Sequence, residues 1–179
     1  MMKYAVVLTT TGRAKTELTR LRTRYGVYMK YSIEPHITVK FPFTLKTDIN
    51  TFLTELGKMA VQTKPFTLIL DGICYWEGSN NVAYVSVQNR LPVFNLHVAI
   101  NSALKGLTMG DTTYDLQNFI PHLTISEHIP DDALPGIKRE LIHYEPKYRV
   151  RMTSFTLFET KPNEKLEIWV PNRVFKFLE

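Results

Sequence analysis

Two segments of this chain repeat one pentad, Pro35-His36-Ile37-Thr38-Val39 and Pro121-His122-Leu123-Thr124-Ile125. The pattern leaves little conformational choice. Proline lacks a backbone donor and biases the residue before it away from helix, so it is tolerated where a strand begins rather than inside one. Side chains on a strand alternate between faces. His36 and Thr38 therefore share one face, as do His122 and Thr124, while Ile37, Val39, Leu123 and Ile125 point into an apolar layer behind them. Each pentad presents an imidazole and a hydroxyl side by side on a rigid element.

The rest of the chain supplies partners for these strands. Tyr4 to Thr9 is β-rich, and Gly12 opens a polar stretch with Ala14, Leu18 and Leu21 at helical spacing that ends near Gly26. His36 to Phe43 reads as a strand. Asp48 to Val61 follows as a helix with Ile49, Phe52, Leu53, Leu56, Met59 and Ala60 on one stripe. Phe66 to Tyr75 and Val82 to Val87 flank a turn-like Glu77 to Asn81 and so form a hairpin. Pro92 suits the first turn of a helix running to about Leu104. Leu123 to Ser126 is a strand, Asp131 and Asp132 supply an acidic first turn to a short helix through Leu141, and Tyr148 to Glu159 and Leu166 to Val174 are closing strands. Strands and helices mix without steady alternation, so the fold class is α+β with antiparallel pairing. Each half holds one histidine strand, helices to cover a sheet and a hairpin-like pair, as in a two-lobed protein with related halves.

With 179 residues the chain is long enough for one good core, and a single two-lobed domain over 1–179 is expected. No apolar run approaches the roughly 20 residues that span a bilayer, and Val6-Val7-Leu8 is too short for a signal-peptide core. The single cysteine, Cys74, excludes an internal disulfide and a thiolate metal cluster, which suits the cytoplasm. A formal charge of +5 favours anionic partners such as RNA or a nucleotide. The denser basic run from Arg13 to Arg24 reads as a solvated helix face.

The pentads also carry chemistry. In-line displacement at phosphorus needs a base for the attacking oxygen and an acid for the leaving oxygen, and histidine does either near neutral pH. Threonine hydroxyls can donate to the phosphoryl oxygens. Two histidines on opposite sides of one phosphate, each with its threonine, make a complete set. Zinc would want three or four ligands, and neither pentad offers a second ligand on its own face, so no metal and no cofactor is expected.

The paired His-x-Thr motifs, with the opening strand and the segment Asn80-Asn81-Val82-Ala83-Tyr84-Val85 in order between and around them, resemble the two-histidine phosphoesterase superfamily. These LigT-like proteins include RNA 2′,3′-cyclic phosphodiesterases and 2′-5′ RNA ligases, and the chain is most similar to their small YjcG-like bacterial branch. The resemblance covers nearly the whole chain. It implies a bilobal α+β fold of two antiparallel sheets with flanking helices around a central cleft, pseudo-twofold related halves, and metal-independent catalysis. It also implies that His36 and His122 form the acid/base pair and that Thr38 and Thr124 bind phosphate. Lys40 and Ser126, two positions beyond each threonine, would continue the active face as further substrate-binding residues. Glu127 departs from the basic residue many relatives carry there. The function expected is hydrolysis of a 2′,3′-cyclic phosphate or a 2′,5′-phosphodiester. A nucleotide-binding or nucleic-acid-binding module with little turnover, and a 2′-5′ RNA ligase using the same site, are the alternatives. No membrane partner is expected, and the oligomeric state is left open with a monomer favoured.

Overall fold

The computed structural model describes residues 2–113, 115–161 and 167–178. In chain order its elements are β1 (Tyr4–Thr9), α1 (Gly12–Tyr25), β2 (Tyr31–Ser32), β3 (His36–Leu45), α2 (Ile49–Gln62), β4 (Phe66–Trp76), β5 (Asn81–Val87), α3 (Leu91–Ala103), β6 (Thr108–Gly110), β7 (His122–Ile129), α4 (Leu134–Leu141), β8 (Lys147–Met152), β9 (Ser154–Lys161) and β10 (Glu167–Lys176). Short 3₁₀ turns at Gly26–Tyr28 and Leu116–Asn118 complete the order.

The strands form two sheets. Sheet A has six strands in the order β2-β10-β9-β1-β3-β6, and sheet B has four in the order β7-β5-β4-β8. All pairs are antiparallel except the two-residue β2, which runs parallel to β10 at the edge of sheet A. This is the expected α+β arrangement with helices flanking two sheets. The lobes are not the two ends of the chain, however: sheet B takes its strands from the middle of the sequence, and both termini contribute to sheet A.

Local chemistry explains the helices. Asp48 caps α2 by accepting from the Thr51 N–H at 3.0 Å, and Phe52, Leu56 and Ala60, four residues apart, are buried. Fully buried leucines and phenylalanines of this kind each contribute about 2 kcal/mol. Pro92 sits in the first turn of α3, where a missing N–H is harmless. The start of α4 differs from expectation. Asp131 and Asp132 precede the helix rather than forming its first turn, because Pro135 must itself lie in that turn, and the chain enters it through bonds from Ala133 and Leu134 N–H to the Pro130 carbonyl. Asp131 accepts instead from Asn81 Nδ2 at 2.7 Å.

The stretch Tyr148 to Glu159 is also not one strand. It divides at Thr153 into β8 on the edge of sheet B and β9 inside sheet A. The last strand matches its expected span within two residues at its C-terminal end, while Leu166 lies outside the described residues.

One apolar core joins residues from both sheets and all four helices. In β1, Val6 and Leu8 belong to it, whereas Ala5 and Val7 pack with Phe158 and Trp169 on the opposite face of sheet A. Burial on both faces accounts for the nearly continuous apolar run of this strand. Among the described residues no helix is long and apolar enough to cross a membrane.

Candidate active site

His36 opens β3 and His122 opens β7. Behind them Ile37, Val39, Leu123 and Ile125 are fully buried, so each imidazole faces away from the core. The same bond orients both rings: His36 Nδ1 lies 2.8 Å from the Glu34 carbonyl and His122 Nδ1 lies 2.8 Å from the Ile120 carbonyl. A carbonyl only accepts, so Nδ1 carries the proton in each ring and Nε2 is left as the basic atom. In both cases the carbonyl belongs to the residue before the proline.

A cavity of about 220 Å³ is lined by His36, Thr38, His122 and Thr124 together. A larger one of about 700 Å³ adjoins it and shares His122, Thr124, Phe41 and Glu127. The four residues picked out by the pentads thus meet at one place. Burial pushes the His36 pKa down, to about 3, with the Arg22 guanidinium acting in the same direction. Burial lowers His122 as well. Part of that burial comes from Trp76, edge-on to the His122 ring at 4.5 Å, and from Tyr84 at 5.5 Å.

Lys40 and Ser126 do not join the site. Lys40 is buried, donates from Nζ to Asn101 Oδ1 at 2.5 Å and lies over the Phe43 ring. Ser126 is fully buried, and its hydroxyl has no hydrogen-bond partner among the described residues. One physical cause explains both departures. In β3, Thr38 pairs with Val7 but Lys40 pairs with Val6. In β7, Thr124 pairs with Tyr84 but Ser126 pairs with Ala83. Each pentad therefore carries a β-bulge at its last residue, Val39 or Ile125. The extra residue reverses the alternation. The fourth residue after each histidine turns inward, and the fifth, Phe41 or Glu127, takes the cleft face.

The site also contains residues that the pentads do not announce. Arg22, from the last turn of α1, donates through Nη1 to the Thr124 carbonyl at 3.1 Å and so supports the bulge in β7. It is half-buried, unlike the solvated face expected for its basic run, whereas Arg13, Lys15 and Arg24 form the exposed ion pairs that such a face would have. Glu127 bonds Tyr31, with burial raising its pKa and the charges of His128 and Arg22 opposing the rise. Burial foremost, then Glu127, drives the Tyr31 hydroxyl above its usual range. Nothing in the local sequence links Arg22 or Tyr31 to the pentads; only the position of Glu127, next to the second motif, gives a signal.

The other buried histidine is structural. His97 donates from Nδ1 to the Val39 carbonyl at 2.6 Å, accepts at Nε2 from the Leu116 N–H at 2.9 Å, and stacks on Phe119. It fixes the loop that leads into His122. Among the nearby aromatic rings, Tyr4 packs against Phe43 and Phe52, Phe119 stacks on His97, Phe41 lines the cavity and Tyr84 packs beside His122. Among the described residues no group of three or more histidine, cysteine, aspartate or glutamate side chains comes together as a metal site would.

Two lobes, a shared cleft and a matched pair of strand-borne histidines define a class of protein, and sequence comparison agrees. The family model described as "2'-5' RNA ligase superfamily" matches residues 11–164, and the chain belongs to this family, the two-histidine phosphoesterases. It is 27% identical over 171 residues to "Putative phosphoesterase GK0864" of Geobacillus kaustophilus, covering 89% of this chain and 95% of that protein. It is 28% identical over the same length to a Bacillus cereus protein of the same description, with the same coverage. In fold it is similar to TT0787 of Thermus thermophilus, with a TM-score of 0.71, 14% identity and 98% of each chain covered. It is also similar to LigT of E. coli crystallised with 3′-AMP, with a TM-score of 0.66, 15% identity and 99% of each chain covered.

Proposed function

We propose that this protein is a metal-independent phosphoesterase that opens a 2′,3′-cyclic phosphate or cleaves a 2′,5′-phosphodiester of RNA or a nucleotide. The observation that carries the reading is the matched orientation of the two imidazoles, each with Nδ1 tied to a carbonyl two residues back and each lining the same cavity. One Nε2 accepts the proton of an attacking water as its oxygen bonds to phosphorus. The other ring gives a proton to the departing ribose oxygen, so that a phosphomonoester and a free hydroxyl result. Burial holds both rings towards the neutral form. The negative phosphate favours protonation of whichever ring serves as acid, because an opposite charge nearby stabilises the imidazolium. Thr38 and Thr124 donate to the non-bridging oxygens as charge builds on them. Crystals of LigT with 3′-AMP and with phosphate lend support, since that protein of similar fold accepts ligands of this chemistry.

The test is turnover of a 2′,3′-cyclic nucleotide and of an oligoribonucleotide ending in a cyclic phosphate, in excess chelator. His36→Ala and His122→Ala are each expected to abolish it. Full activity in either variant, or activity lost on chelation alone, would overturn the mechanism. Salt-sensitive binding without product over long incubation would make the chain a binding module instead.

A further inference from the structure

The face of sheet B that bears His122 does not end at the cleft. Its other side is settled by the core, which takes Leu68 and Leu70 from β4, Val85 and Val87 from β5, and Tyr148, Val150 and Met152 from β8. Alternation puts the intervening residues on the cleft side. The register carries that side across the sheet: His122 pairs with Ser86, Thr124 with Tyr84, and Tyr84 with Cys74. A shift between Leu70 and Ile73, absorbed at Gly72 with φ +74, keeps the phase, and Ile69 and Thr67 then pair with Arg149 and Arg151 of β8. The open face therefore runs from the candidate catalytic histidine to the far edge of the sheet, three strand spacings or about 14 Å away.

That edge is cationic. Lys147, Arg149 and Arg151 are all exposed on this face. Lys147 lies 3.6 Å from Asp71, but neither Arg149 nor Arg151 has an ion-pair partner among the described residues. The two arginines are two residues apart on a strand, about 7 Å, on the scale of successive phosphates in an extended single strand. Arg90, which precedes α3 and donates from Nε to the Val87 carbonyl at the end of β5, is also exposed and without an ion-pair partner among the described residues, and its charge acts on the Tyr84 hydroxyl. Trp76 and Tyr84, with ring centroids 4.2 Å apart, form the aromatic corner where this face meets the cavity.

We infer that the cleft side of sheet B, out to Arg149 and Arg151, is a platform for the single-stranded RNA that leads up to the reacting 3′ end. The inference rests on the phosphoesterase reading and adds to it a surface, outside the cavity, that would hold the RNA chain behind the reacting end. An open antiparallel sheet with rings at one side and cations at the other suits single-stranded RNA, which is bound by stacking and by phosphate contacts. Arginine charges facing solvent supply affinity without sequence preference.

The test uses the R149E/R151E variant, which changes exposed residues that line neither of the two cavities around His122. Three quantities are read: hydrolysis of a 2′,3′-cyclic mononucleotide, binding of a short labelled oligouridylate ending in a 3′-phosphate, and binding of phosphatidylserine vesicles. The variant is expected to hydrolyse the mononucleotide as the wild type does, to bind the oligonucleotide about tenfold more weakly, and to show a salt slope shallower by about 1.4, the amount for two lost phosphate contacts on a single strand. Equal oligonucleotide affinity in the two proteins overturns the platform, as does vesicle binding that needs these arginines while RNA binding does not. A wild type that binds the oligonucleotide through these arginines but turns over no cyclic phosphate would sink the phosphoesterase reading while leaving the RNA surface in place.

Discussion

At the scale of single residues, what matters about the two imidazoles is which atom is left over. Tying Nδ1 to a backbone carbonyl selects one tautomer and aims the ring without using a side chain that could itself titrate. In the proposed reaction the threonines complete each half-site, and their contribution can be isolated because valine keeps their shape and removes only the hydroxyl. Thr38→Val and Thr124→Val are each expected to lower kcat about a hundredfold with little change in KM, the pattern for a donor that acts on developing charge. Steady-state kinetics on a cyclic nucleotide check this, and a change confined to KM would show that the hydroxyls only hold the ground state.

At the scale of elements, the two bulges decide which residues the cleft sees. Period-two alternation was legible in each pentad, and it places His36, Thr38, His122 and Thr124 on one cavity. Continued two residues further it misplaces Lys40 and Ser126. The bulges depend on pairing with β1 and β5 and, in β7, on support from Arg22, all distant in sequence, so the pentads themselves cannot reveal them. The division of the chain at Thr153 left a trace that could have been read: buried residues alternate through Tyr148, Val150 and Met152, then resume three positions on at Phe155 and Leu157. A break of phase inside a long strand marks a change of sheet or a bulge. Since the bulge in β7 leaves the Ser126 hydroxyl buried and without a hydrogen-bond partner among the described residues, Ser126→Ala should stabilise the protein by about 1 kcal/mol and leave turnover unchanged. Urea denaturation and kinetics on the same sample test both halves of that statement.

At the scale of the whole molecule, a ring held neutral by burial affects folding. His36 has a pKa of about 3 in the folded protein against 6.5 for the free side chain. Between those values the unfolded chain binds more protons, so stability present above about pH 6.5 is progressively lost as the pH falls towards 3. His36→Asn removes this linkage. Its urea midpoint should fall less between pH 7 and pH 4 than that of the wild type, and parallel curves would mean that the ring is not held neutral by the fold. The twin bulges bear on the molecule in another way. They make the two half-sites alike in backbone yet place Phe41 at one and Glu127 at the other, so the cleft has a head and a tail. In the proposed reaction a diester with two unlike arms meets an aromatic wall on one side and a carboxyl group on the other, so its two orientations in the cleft are not equivalent.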